Sequence, residues 1–162
     1  DGALMTDIFE RLKQDHDRHR EMLEKIGDTS GDSSEREELF KKFRIEVTAH
    51  AAAEEESLYA VMLQDPDMRE EGTHSVSEHK EIDDFLEELQ ETDMSSPGWI
   101  ATFKKMRHRY EHHIDEEEED IFPVAKKELD KGVPEDLAAK FEERKPAEKE
   151  RAEKGEKNEA LD

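Results

Sequence analysis

The chain has 162 residues, enough for one domain with a core of its own. Apolar residues make up 32% and charged residues 44%, with a net charge of −22, which argues against a nucleic-acid backbone or an anionic membrane surface as partner, because both call for clustered Lys and Arg. There is no cysteine, so disulfides, thiolate metal sites and cysteine nucleophiles are excluded, and no apolar run reaches transmembrane length.

The N-terminus, Asp1 to Leu4, has neither the basic segment nor the apolar stretch of a signal peptide. Met5 is expected as the natural start, with the first four residues a cloning remnant, residues 1–5 an N-terminal extension and a cytoplasmic location as the default. A first helix is predicted from about Thr6 to Lys25, capped by Thr6 or Asp7, with Ile8, Phe9, Leu12, Leu23 and Ile26 on one stripe. Gly27 to Ser34 reads as a polar loop. A second helix is predicted from Ser34, with Glu37 in capping-box position and Phe40, Phe43, Val47, Leu58 and Val61 inward, ending at Asp65-Pro66-Asp67. The third is predicted from about Thr73 to Thr92 with Ile82, Leu86 and Leu89 inward. Ser95-Ser96-Pro97 then supplies a cap and a first-turn proline for a fourth helix carrying Phe103, Met106, Tyr110, Ile114, Ile121 and Val124, with a kink expected at Pro123. After Gly132, Pro134 to Glu143 reads as a short fifth helix. From Arg144 to Asp162 almost nothing is apolar, so a disordered tail or a solvated helix is expected. The fold class is therefore all-α: an up-down-up-down four-helix bundle over residues 6–131, with a short fifth helix and charged C-terminal tail over 132–162.

The spacing of four histidines is the informative pattern. His16 and His50 are 34 apart, as are His79 and His113 (50 − 16 = 113 − 79 = 34). His50 and His113 each have a glutamate four residues on, Glu54 and Glu117. Because a helix turns about 100° per residue, His16, His50, Glu54, His79, His113 and Glu117 all fall on inward faces, whereas His108 and His112 point away. His19 is also inward; His74 lies off centre, and the central position one turn before His79 holds Ser75. Two buried carboxylates call for a cation, and a pair of metal ions would satisfy all six groups together. Of the acidic runs Glu54 to Glu56 and Glu116 to Glu119, only the first inward member is expected to be a ligand, the rest being solvated. Iron is favoured because six mixed N/O ligands suit an octahedral, redox-active pair; manganese and zinc stand behind it.

These residues resemble the hemerythrin-like family, also called the HHE cation-binding domain. The resemblance rests on a twofold motif, His-x-x-x-Glu-Glu-x-x-apolar-Tyr/Phe-Pro. It is complete in the second copy (His113, Glu117, Glu118, Ile121, Phe122, Pro123) and has Ala60 in place of proline in the first. The resemblance implies a non-haem di-iron centre whose two irons share an oxo or hydroxo bridge and are bridged by Glu54 and Glu117. Members that bind O2 reversibly commonly use five histidines, two of them one turn apart on the third helix. Here the earlier of that pair is Ser75, with His74 and His19 as possible additional ligands, so this site is expected to react with O2 but to carry it poorly.

Three functional readings are open at this point. The first is a di-iron protein that binds, senses or carries O2 or a related small oxidant, a sensor then acting through a protein partner. The second is a di-iron oxidase or peroxide-decomposing enzyme, with Tyr59 or Tyr110 as proton donor. The third is a metal-free acidic interaction module.

Overall fold

The computed structural model describes residues 6–31 and 33–155. All regular secondary structure among them is helical. The chain runs through α1 (Ile8–Gly27), α2 (Ser34–Glu54), a π-helical turn π1 (Glu55–Tyr59), α3 (Ala60–Met62), α4 (Arg69–Glu91), α5 (Pro97–Glu116), a second π turn π2 (Glu117–Ile121), α6 (Phe122–Glu128) and α7 (Val133–Glu153). α2, π1 and α3 form one rod, and α5, π2 and α6 another, so four rods make the up-down-up-down bundle and α7 is a fifth. The segments 1–5 and 156–162, where the extension and the end of the tail were placed, lie outside the described residues.

Local chemistry sets the helix starts. Asp7 caps α1 by accepting from the Glu10 N–H at 2.9 Å. Ser33, not Ser34, caps α2, accepting from the Arg36 N–H at 3.1 Å, so α2 starts at Ser34 as expected while its cap lies one residue earlier and the Ser34–Glu37 capping box does not form. Ser96 accepts from the Trp99 N–H at 3.3 Å, with Pro97 in the first turn of α5. α4 starts at Arg69, earlier than its apolar periodicity suggested. Buried Met68 anchors the start, Arg69 donates to the Leu63 carbonyl at 2.8 Å, and Gly72 packs so closely on α3 that an added Cβ would lie 3.3 Å from the Met62 and Leu63 side chains.

Two apolar clusters fill the bundle. One gathers Phe9, Leu12, Leu58, Tyr59, Phe122 and Phe141; the other gathers Leu23, Phe43, Leu86, Trp99, Phe103 and Ile114. Each fully buried side chain of this size contributes about 1.5–3 kcal/mol. Along the first three rods the inward histidines fall between residues of one cluster and those of the other, and on the fourth His113 and Glu117 flank Ile114, the last residue of one cluster before Ile121 of the other, so a polar layer crosses the middle of the bundle.

Pro123, the site of the expected kink, borders a π turn. It lies just past π2, where the Phe122 N–H donates to the Glu117 carbonyl five residues back. The first repeat has Ala60 at the matching place and forms the same π turn, so proline is not its cause. The wide turn inserts an extra residue and rotates the helical segment beyond it. It keeps Leu58 and Tyr59, and likewise Ile121 and Phe122, inside.

The C-terminal expectation is corrected: of its two alternatives the helix holds as far as Glu153, but that helix is packed rather than solvated. α7 does not stop near Glu143 but continues to Glu153, through Pro146, and packs along α1, α2 and π1. A proline inside a helix removes one hydrogen bond and crowds the preceding turn. Packing outweighs that here, since Leu137, Phe141, Lys145, Glu148 and Ala152 are all buried. Hydrophobic periodicity missed this face because two of its buried members are a lysine and a glutamate, held by ion pairs.

Candidate metal centre

α1, α2, α4 and α5 bring His16, His50, His79 and His113 into the polar layer, and the second and fourth rods add Glu54 and Glu117. All six are buried, at 5% exposure or less. They form two triads, His16–His50–Glu54 and His79–His113–Glu117, each with three donor atoms close enough to share one ion. The carboxylates also cross between triads. Glu54 Oε1 lies 3.7 Å from His50 Nε2 and 3.1 Å from His79 Nε2. Glu117 Oε1 lies 3.6 Å from His113 Nε2 and 3.2 Å from His16 Nε2. Neighbouring ligands of an octahedral ion with bonds of about 2.1 Å stand about 3 Å apart, so the donor atoms have the right spacing for metal binding.

The other ring nitrogen of each histidine meets a carboxylate. His16 Nδ1 lies 2.7 Å from Glu118, His50 Nδ1 2.8 Å from Asp15, His79 Nδ1 2.7 Å from Glu55, and His113 Nδ1 2.7 Å from Glu78. Against an ionised acid, Nδ1 carries the proton and donates, which leaves every Nε2 lone pair facing the centre. Here the reading of the acidic runs needs correction: Glu55 and Glu118 are not merely solvated but orient the histidines of the opposite half. Asp15 and Glu78 serve the same purpose and were not singled out from sequence. The signal was there, for all four stand beside a candidate ligand and repeat at one offset (78 − 15 = 118 − 55 = 79 − 16 = 63).

Charge at the centre is frustrated without a cation. Burial holds the Glu54 carboxyl well above the usual range, and the charge of Glu117 pushes it the same way. For Glu117 burial acts likewise, but the charge of His113 and the close approach of His16 outweigh it and hold the carboxyl well below that range. Burial lowers His16 and His79, yet carboxylate partners reverse this, taking His16 up to about 9 and His79 well above its ordinary value. His50 is pushed down to about 3 by burial. Six buried side-chain atoms among the described residues lack a hydrogen-bond partner, and five are here: His16 Nε2, His50 Nε2, Glu54 Oε1, Glu54 Oε2 and Glu117 Oε1. Orphaned buried groups are rare and costly, and these are lone-pair donors turned toward one another. The residues fit metal ions.

The remaining candidates sit differently. His19 is fully buried, but its Nε2 lies 2.9 Å from Glu46 and its Nδ1 2.7 Å from the Tyr110 hydroxyl, so both nitrogens are engaged. His74 is half exposed and pairs with Glu116 at 2.9 Å and Glu78 at 3.3 Å, outside the two triads. His108 and His112 are exposed. Ser75 is buried and hydrogen-bonded to the Tyr59 hydroxyl at 2.9 Å, and Tyr59 in turn donates to Glu117. In the other half the matching residues are Leu12 and Phe122, so the two triads have unlike surroundings. A small cleft lined by Val47, Ala51, Ile82 and Leu86 reaches His50, His79 and Tyr110.

The model of the hemerythrin HHE cation binding domain matches residues 7–125. The chain belongs to this family. The uncharacterized protein Rv2633c of Mycobacterium tuberculosis is 31% identical over 116 residues, covering 72% of this chain and 70% of the relative, and Mb2666c of Mycobacterium bovis matches equally. The crystal structure of a hemerythrin HHE cation binding domain-containing protein from Mycobacterium kansasii, an Rv2633c homolog, superposes with a TM-score of 0.82 at 26% identity, covering 97% of each chain. The family and the buried His/Glu clusters make this a metal-binding helical protein. Among the described residues no helix is long and apolar enough to cross a membrane.

Proposed function

We propose that the chain is a non-haem di-iron protein that takes O2 or a related small oxidant at the buried His/Glu centre and is oxidised by it rather than releasing it intact. The observation that carries this reading is the set of five orphaned donor atoms shared by two triads. His16, His50 and Glu54 would hold one ion, His79, His113 and Glu117 the other, and each glutamate reaches toward both. Two irons bound there would supply the electrons for reducing O2.

The protein's own contribution is positioning, exclusion of water and proton handling. Four carboxylates fix the histidine tautomers. Phe122 stacks on His16 with ring centres 6.1 Å apart, and the Phe141 edge covers His50 at 5.6 Å, which keeps water off one side. The small apolar cleft between α2 and α4 suits a diatomic oxidant. With Ser75 where a histidine would add a ligand, and with both nitrogens of His19 engaged, six protein ligands serve two ions. The open positions that remain favour oxidation over reversible carriage.

The test is optical. Protein loaded with ferrous iron under anaerobic conditions should contain close to two ions per chain, convert to a lasting diferric spectrum in O2, and oxidise more slowly as Ser75→His. Repeated return of the diferrous spectrum when the gas is removed, without reductant, would refute this reading and make the protein a carrier.

One observation favours the enzymatic alternative, an oxidase or peroxide-decomposing activity. The buried Tyr59 hydroxyl donates to Glu117, and burial together with the charges of Glu117 and Glu54 keeps its proton on. It is placed to hold a proton at the edge of the centre. Sustained turnover of hydrogen peroxide by the loaded protein, lowered in Tyr59→Phe, would establish that activity; turnover unchanged in the variant would remove Tyr59 from it.

A further inference from the structure

Lys145 is a buried lysine on a helix that lies beyond the matched residues 7–125. Its Nζ stands 2.8 Å from Asp15 Oδ2 and 2.7 Å from Glu46 Oε2. These are the same two oxygens that meet the histidines, since Asp15 Oδ2 accepts from His50 Nδ1 and Glu46 Oε2 lies against His19 Nε2. We propose that Lys145 is a positioning residue of the metal centre, an ammonium delivered by α7 that holds Asp15 and Glu46 in place behind His50 and His19 and thereby sets the affinity of the His16–His50–Glu54 half. The proposal rests on the six-ligand reading of the centre.

The internal repeat shows why a lysine is needed at this place and not at its mate. Shifted by 63, Asp15 matches Glu78 and Glu46 matches Arg109 (78 − 15 = 109 − 46 = 63). In the second half the carboxylate behind the ligand histidine finds a cation inside the repeat, with Arg109 at 3.5 Å from Glu78. In the first half that cationic position is itself an acid. Two buried carboxylates then stand side by side, with Arg11 on Asp15 at 2.6 Å and the largely exposed Arg18 3.9 Å from Glu46. Lys145 completes the charge balance from outside the four-rod repeat.

Docking of α7 alone would not require this lysine. Leu137 and Phe141 bury α7 against the bundle, and Arg144 pairs with Glu56 at 3.3 Å. A buried ion pair adds little net stability compared with apolar packing, whereas loss of one partner leaves the other charge uncompensated. Lys145 also lies one helical turn from Phe141, so α7 brings a ring and a charge to His50 together.

The test compares wild type, Lys145→Met and the double variant Lys145→Met with Glu46→Gln, each full length and loaded with 57Fe(II). Competition with a chelator and Mössbauer spectra are the readouts. Removing a group that orients a ligand through hydrogen bonds lowers metal affinity about 10- to 100-fold. Lys145→Met is expected to weaken one of the two ions by at least about tenfold, to shift one quadrupole doublet, and to leave the other ion near wild type. The double variant removes one of the two acids and is expected to recover most of the lost affinity even if the single variant folds poorly. Wild-type affinity for both ions and unchanged doublets in Lys145→Met would overturn the proposal, as would a folded double variant still as weak as the single one. A lysine with a merely structural role would lower the melting temperature and leave the doublets alone. Wild type that binds no iron would sink the six-ligand reading itself.

Discussion

Removing the metal should destabilise the fold, and neutralising Glu54 should reverse part of that loss. Five buried donor atoms lack hydrogen bonds in the centre. A buried polar group left unsatisfied costs about 1–3 kcal/mol, so five together cost about 5–15 kcal/mol against a total stability of similar size. Because burial and Glu117 favour a proton on Glu54, the cost falls at the lower end, about 5 kcal/mol. For a chain of this length each kcal/mol moves the melting temperature by about 2–4 °C, so chelated protein should melt about 10–20 °C below the iron-loaded form. Glu54→Gln separates ligation from packing. It removes a ligand, so in iron it should lose most of the metal-dependent gain. In chelator it puts a neutral amide where wild type has a buried carboxyl that must take up a proton beside Glu117, so it should melt no lower than chelated wild type. Calorimetric or circular-dichroism melts of both proteins, each with iron and with chelator, provide the measurement. Wild-type curves that coincide with and without metal would refute the reasoning, and so would a variant that melts well below wild type in chelator.

Further outcomes can be checked on the same samples. His50→Ala and His113→Ala should each bind less than two irons per chain by elemental analysis, while His108→Ala and His112→Ala keep both; metal loss in His112→Ala with retention in His113→Ala would mean a different register for α5. In the chelated protein, folding raises His16 from 6.5 to about 9, so its stabilisation is full below pH 6.5 and lost as pH rises through 9. Melting temperature in chelator should therefore fall across that window, and a flat profile would show that His16 does not gain a proton on folding. Glu46 is held at about 2 because its contacts with His19 and Lys145 outweigh burial, so its stabilisation is present above 4.5 and lost as pH falls toward 2. In acid, Glu46→Gln should lose less stability than wild type between these values. Pro123→Ala should change stability by no more than about 1 kcal/mol, since the first repeat builds the same π turn with Ala60; a larger loss by denaturant titration would show that the proline shapes π2.

Much of the bundle was legible because its signals are local. The stripe from Ile8 to Ile26, the break at Asp65-Pro66-Asp67 and the cap at Ser96-Pro97 each act within a few turns of chain. The inward direction of His16, His50, Glu54, His79, His113 and Glu117 stems from the helical period alone, and all six meet in one buried layer. Their ligation remains our proposal. Less legible were features where the period is interrupted or polar. The π turns add a residue that no periodicity announces. The start of α4 carries Arg69, Glu70 and Glu71 and is held by the docking of Met68.

Sequence alone determined which residue types recur at one spacing, and therefore that two equivalent halves each bring two histidines and a glutamate inward. Tertiary structure decided which acid serves which histidine. Glu118 reaches His16 and Glu55 reaches His79, each across the bundle, while Asp15 and Glu78 serve the next rod within their own halves. It also decided that the charged C-terminal segment is structural as far as Glu153, with Lys145 bonded to Asp15 across 130 positions of sequence. The reason is physical: helical direction depends on neighbours a few residues away, whereas the burial of an ion pair depends on packing between rods that local periodicity does not encode.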